Sequence, residues 1–194
     1  MERTPVTPDI MPMVGLDMSL AATGFCCKTG SQITIETIKT KPKDFPMPLV
    51  RYRHIVQEVM DRIPKTVGLV VIEDYYTPHN IQQVGQALKL VALGTLMRNA
   101  MDVMGLPFII VTANQAKKFA TGNGRADKSL VVRDVFRKWE VEAKDDNQAD
   151  ACTMAHMAHG LWRIENGSAD KGDFLKYEAE VLGKVLQERP RYNF

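Results

Sequence analysis

The sequence is short of cysteine, of long apolar runs and of net charge, and each shortage narrows what the chain can be. Its three cysteines, Cys26 and Cys27 side by side and Cys152 far away, form neither a CxxC pair nor an even framework. Zinc modules and disulfide scaffolds are therefore not expected, and a reducing compartment is. No run of about 18 apolar residues occurs, so no transmembrane helix is expected. The opening MERTPVTPDI lacks the basic-then-apolar layout of a signal peptide. These features predict a cytoplasmic protein with no membrane partner.

A formal net charge of +2 does not by itself suggest a nucleic-acid binder, but it averages over a strong local contrast. Residues 115–138 carry a net +5 and residues 140–150 a net −4. A basic block beside an acidic one is more informative than the mean.

The chain has 194 residues, enough for one domain to bury its own core. Pro5, Pro8 and Pro12 mark residues 1–12 as a flexible tail. Met13–Leu16, Thr23–Cys27 and Ile33–Ile38 read as strands of a meander, the last two split by Thr29-Gly30-Ser31. Val50, Ile55, Val59 and Ile63 share one helical face, which Pro64 closes. Val67–Ile72 is a β-branched run suited to a strand buried on both faces. The longest helical pattern, 80–104, is apolar nearly all round over Ala87–Met97, which calls for burial by its own sheet and by a second subunit. Phe108–Thr112 is another strand. Val132, Val135, Phe136 and Trp139 then mark a helix that Asp127 can cap, and 148–164 and 171–188 are the last helices. The order predicts an α/β fold, a meander followed by parallel additions. Residues 13–165 form the main body, and 166–194 a helical extension of the same domain.

Two of the apolar strands each end in one carboxylate, Asp17 after VGL and Glu73 after GLVVI. A third acidic group, Asp145-Asp146-Asn147-Gln148-Ala149-Asp150, opens a helix. Taken singly, such acids are ordinary solvated turn or helix-start residues. Together they suit hard divalent cations, which take oxygen ligands and in pairs serve in-line phosphoryl displacement.

Val14-Gly15-Leu16-Asp17-Met18-Ser19, Val71-Ile72-Glu73-Asp74-Tyr75-Tyr76 and Ala149-Asp150-Ala151 resemble the metal-binding motifs of RuvC-type Holliday-junction resolvases, members of the RNase H-like nuclease superfamily. The stretch from Lys117-Lys118 through Gly122-Asn123-Gly124 to Ala126-Asp127-Lys128-Ser129 resembles their lysine, glycine-x-glycine, alanine-acid-lysine-serine segment and is the most specific part of the match. The resemblance covers residues 13–160 in motif order. It implies an RNase H-like mixed sheet flanked by helices, and an endonuclease that cuts four-way DNA junctions as a homodimer. It further implies Mg²⁺, replaceable by Mn²⁺, with two ions per site. Asp17, Glu73 and Asp150 are then ligands, Lys117 and Lys128 lie by the scissile phosphate, and Tyr76 stands where the family has an aromatic that wedges into the junction. The family's fourth ligand precedes the last Asp by three residues, where this chain has Asn147; Asp146 is one residue earlier, so either can complete the set.

The Gly122–Gly124 loop fits neither an ATP nor a dinucleotide fingerprint. It is read as a loop that lets Arg125 and Lys128 meet a phosphate backbone, with Lys118 and Tyr75 as further DNA contacts. Arg133, Arg137 and Lys138 are read as a solvated basic helix face, His156 and His159 as packing or surface residues, and Met97, Met101 and Met104 as core or interface filler. Two rivals share the site: a nuclease for flaps, forks or RNA–DNA hybrids, and a junction-binding protein that does not cut.

Overall fold

The computed structural model describes residues 10–74 and 81–188, with the side chains of 81–83 left out of account. Five strands, β1 (Met13–Asp17), β2 (Ala22–Thr29), β3 (Gln32–Lys39), β4 (Leu69–Glu73) and β5 (Phe108–Val111), form one sheet in the order β3-β2-β1-β4-β5. The first three pair antiparallel, and β1–β4 and β4–β5 pair parallel. The expected meander with parallel additions is therefore present. Among the described residues no helix is long and apolar enough to cross a membrane.

The helices are α1 (Pro48–Met60), α2 (Ile81–Val103), α3 (Ala113–Thr121), α4 (Lys128–Trp139), α5 (Asp146–Glu165) and α6 (Lys176–Glu188). Val14, Leu16, Val70 and Ile72 pack on one sheet face with Val59 of α1 and with Met97 and Met101 of α2. Met13, Leu69, Val71 and Val111 pack on the other with Met154 and Met157 of α5, Phe119 of α3 and Val181, Leu182 and Val185 of α6. The C-terminal helix thus shares the core of the sheet it follows.

Where the sequence shows only a basic segment, the chain forms α3. Its Ala116, Phe119 and Ala120 are buried, and Thr112 and Gln115 make a reciprocal cap. The helix is too short for periodicity to stand out, but the Thr-x-x-Gln cap was legible. Asp127 caps α4 as expected, its carboxylate accepting from the Leu130 amide at 2.8 Å.

Candidate active site

Strand alternation decides which acids can meet. Met13 and Gly15 on β1, like Leu69 and Val71 on β4, face α5, while their neighbours face α1 and α2. Two residues further on, Asp17 and Glu73 fall on the α5 side as well. They are also neighbours across the sheet, because Leu16 pairs with Ile72.

Helix α5 reaches this edge because the strands under it lack side chains at two points. A Cβ on Gly15 would stand 2.0 Å from the Ala151 carbonyl oxygen, and one on Gly24 would stand 2.1 Å from that of Asn147. The first turn of α5 is tied to β3 by a capping network. The Asp145 carboxylate accepts from the Gln148 amide and from Thr37 Oγ1, each at 2.9 Å, while Gln148 Nε2 donates to Thr37 Oγ1 at 3.1 Å. Asp146 follows that cap directly, and Asp150 lies one turn along.

The electrostatics show that these acids share one neighbourhood. Burial, then the charges of Glu73, Asp150 and Asp146, hold the Asp17 carboxyl well above the usual range. Glu73 is pushed up to about 7 by burial and then by Asp150, with Lys117 pulling the other way. Asp150 is raised to about 6 by burial against the pull of Lys117, with Asp146 adding to the rise. Lys128 is ion-paired with Asp146, whose carboxyl it holds low, and its charge also reaches Asp17, Glu73 and Asp150. Two strand ends and one helix start thus gather four carboxylates, with Lys117 of α3 and Lys128 of α4 beside them.

Among the described residues no three acids, histidines or cysteines already close on one point as a metal cage. The donor set nevertheless fits a hard divalent cation, being all oxygen, partly buried and richer in negative than in positive charge.

Other expected site residues lie elsewhere. Lys118 is paired with Glu180 of α6 at 2.6 Å, and Arg125 is exposed at the rim of a cavity between α3 and α6. Tyr75 and Tyr76 lie outside the described residues. The solvated-face reading fits Arg133 and Arg137 but is corrected for Lys138. That ammonium bonds Glu178 and the carbonyl oxygens of Phe119 and Ala120, and sits 4.8–5.3 Å from the rings of Trp139, Phe119 and Tyr177. The charge is recruited because α3 ends there with unsatisfied carbonyls and α6 supplies a carboxylate. His156 stacks on Trp139 with 4.0 Å between centroids, which is the packing role expected of it. In the sequence Asp145 is one member of an acidic cluster; its capping role depends on the position of Thr37, which the local sequence does not give.

A family model described as "Crossover junction endodeoxyribonuclease RuvC" matches residues 13–159. The chain belongs to this RuvC family. The RuvC protein of Corynebacterium glutamicum is 26% identical over 184 residues, covering 90% of this chain and 80% of its own. That of Sulfurovum is 30% identical over 159 residues, covering 76% and 95%. Among solved structures, Thermus thermophilus RuvC superposes with a TM-score of 0.59 at 18% identity, over 82% of this chain and 99% of its own. The same protein in complex with a Holliday junction substrate gives 0.58 over 82% and 98%. These two structures share the fold of the present chain, its mixed sheet included. The matched region contains all four acids and both lysines and ends before α6.

Proposed function

We propose that the protein is a cytoplasmic, divalent-metal-dependent endonuclease that hydrolyses phosphodiester bonds in four-way DNA junctions. The observation that carries this is the meeting of Asp17, Glu73 and Asp150 from three separate elements, with Lys117 and Lys128 beside them. The family and the junction named for its solved relative point to the same substrate. Asp17, Glu73 and Asp150, with Asp146 or Asn147, would hold Mg²⁺ or Mn²⁺, two ions in the full site. When bound, such cations activate the attacking water and offset charge on the leaving oxygen.

The chain's own residues prepare the rest. The carboxylates come from the ends of rigid strands and the first turns of a capped helix, so their positions are set before substrate arrives. Lys117 lies by Glu73 and Asp150, where a phosphate group brought to the acids would meet its ammonium and be oriented. The Lys128 side chain is 75% exposed, and its pairing with Asp146 is open to exchange for a phosphate oxygen.

We also read the active form as a homodimer. Val84, Leu88 and Val91 are 39%, 62% and 38% exposed along α2, an apolar stripe that fits the sequence expectation of a second subunit. A two-fold substrate is cut symmetrically by a two-fold enzyme. Sedimentation of Leu88→Glu, expected to be monomeric where the parent is dimeric, tests this.

The deciding experiment incubates the protein and Mg²⁺ with labelled four-way, Y-shaped, flap and linear DNAs. Selective incision of the four-way species is expected, and its loss by at least about a hundredfold in Asp17→Asn and Asp150→Asn while junction binding persists. Equal cutting of flaps would assign the flap nuclease, and binding without cutting the non-catalytic reading.

A further inference from the structure

A second cationic site lies beside the carboxylates, on the far side of the β1–β2 turn. Lys41, Arg51 and Lys89 line one cavity of about 620 Å³ together with Leu20, Phe45 and Tyr52, and no acid among the described residues lines it. Arg51, on the first turn of α1, is only 8% exposed. Its Nε donates to Thr40 Oγ1 at 2.9 Å and its Nη2 to the Thr40 carbonyl at 3.1 Å and to the Leu20 carbonyl. All of these acceptors are neutral, Nη1 makes none of the bonds, and among the described residues the buried charge has no carboxylate partner. A buried guanidinium without a counter-charge is costly unless an anion completes it.

The surroundings add positive potential instead of relieving it. Lys41 and Lys89 are exposed, and neither is in an ion pair among the described residues. The start of α1 also borders the cavity, with no side-chain cap and no acid in its first turn.

We infer that this cavity binds a phosphodiester of the junction strand beside the cleaved bond. This rests on the nuclease reading. Location favours a nucleic-acid anion, because Leu20 follows Asp17 by three residues and lies within about 11 Å of chain from it. A strand held at the carboxylates passes this turn within a few nucleotides. The chemistry agrees, since Nη1 of Arg51 is left to donate to a phosphate oxygen while its other nitrogens hold the turn, and the two lysines offer exchangeable point charges. The half-buried Phe45 and the exposed Met47 give the attached sugar and base an apolar wall.

Arg51 also joins the β1–β2 turn to the end of β3, so its removal would confound folding with binding. The test therefore uses Lys41→Ala/Lys89→Ala, two exposed side chains with no ion pair. Four-way junction affinity is titrated against salt with Ca²⁺ in place of Mg²⁺. The double variant is expected to bind about tenfold more weakly, with a salt slope shallower by about one unit per lysine. A series of junctions each carrying one neutral methylphosphonate should contain a position that weakens the parent and leaves the double variant unaffected. Parental affinity and slope in the double variant would overturn the assignment, as would stabilisation of the parent by inorganic phosphate with no change in DNA binding. If the parent itself ignores the junction, the nuclease reading falls first and this inference with it.

Discussion

Gly15 in β1 lies directly beneath Ala151 in α5. A Cβ at Gly15 would stand 2.0 Å from the Ala151 carbonyl oxygen and 2.3 Å from the Ala155 amide nitrogen, atoms of a helix backbone that cannot swing aside. Gly15→Ala should push α5 off the sheet and carry Asp150 away from Asp17. Overpacking of a buried contact costs about 1–3 kcal/mol, and contact with backbone belongs at the upper end. Urea denaturation and junction cleavage should both report the damage, and parental values in both would mean that α5 does not press on the strand at Gly15.

The second prediction concerns pH in metal-free protein. Glu73 is raised to about 7 and Asp150 to about 6, in each case first by burial. Unfolded carboxylates titrate near pH 4, so between about pH 4 and 7 the folded protein binds more protons than the unfolded chain, and stability falls as pH rises. The stabilisation from these two groups is complete below about pH 4 and lost above about pH 7. Melting curves in EDTA should show the parent losing more stability across this window than Glu73→Gln does. Mg²⁺, which favours the ionised acids, should raise the melting temperature more at pH 8 than at pH 5. A pH dependence identical in parent and variant would remove Glu73 from the buried acid cluster.

The third prediction separates two neighbouring cations that look alike in the sequence. Lys138 is held between Glu178, the end of α3 and three rings, whereas Arg137 is exposed. Lys138→Ala leaves the largely buried Glu178 carboxylate without its ammonium, a change that costs about 3–5 kcal/mol for a buried pair and less in proportion to its residual exposure. Arg137→Ala should cost little. Chemical denaturation of the two variants checks the order, and equal stabilities would restore the solvated-face description of Lys138.

These contrasts show what a linear reading can carry. Asp17 and Glu73 were legible because each ends an apolar strand, and alternation by twos then puts both on one face. The start of α5 was legible as an acidic group, but Asp145 as a cap and Asp146 as a site residue differ only in their distance from Thr37 and Lys128. Lys118 and Lys128 belong to one basic segment, yet α6 draws the first to Glu180 while the second stays at the carboxylates. Cys26 and Cys152, unrelated in sequence, are buried in one apolar cluster at the β2–α5 contact. In each case a distant element decides the role, and local periodicity holds no record of it.

The last prediction assigns the fourth carboxylate position. Asn147 has the family spacing, three residues before Asp150, but a neutral amide oxygen offers a hard cation less than a carboxylate does. The Asn147 carbonyl lies against Gly24, at the contact between α5 and β2. The Asp146 charge, by contrast, acts on both Asp17 and Asp150 and is held by Lys128. Asp146→Asn should therefore lower cleavage by about tenfold or more and raise the Mg²⁺ concentration required, while Asn147→Ala changes both less. Metal titrations of the two variants decide between them. A parental Mg²⁺ requirement in Asp146→Asn beside a weakened one in Asn147→Ala would transfer the role to Asn147, and would leave Asp146 as the partner that holds Lys128 until a phosphate takes its place.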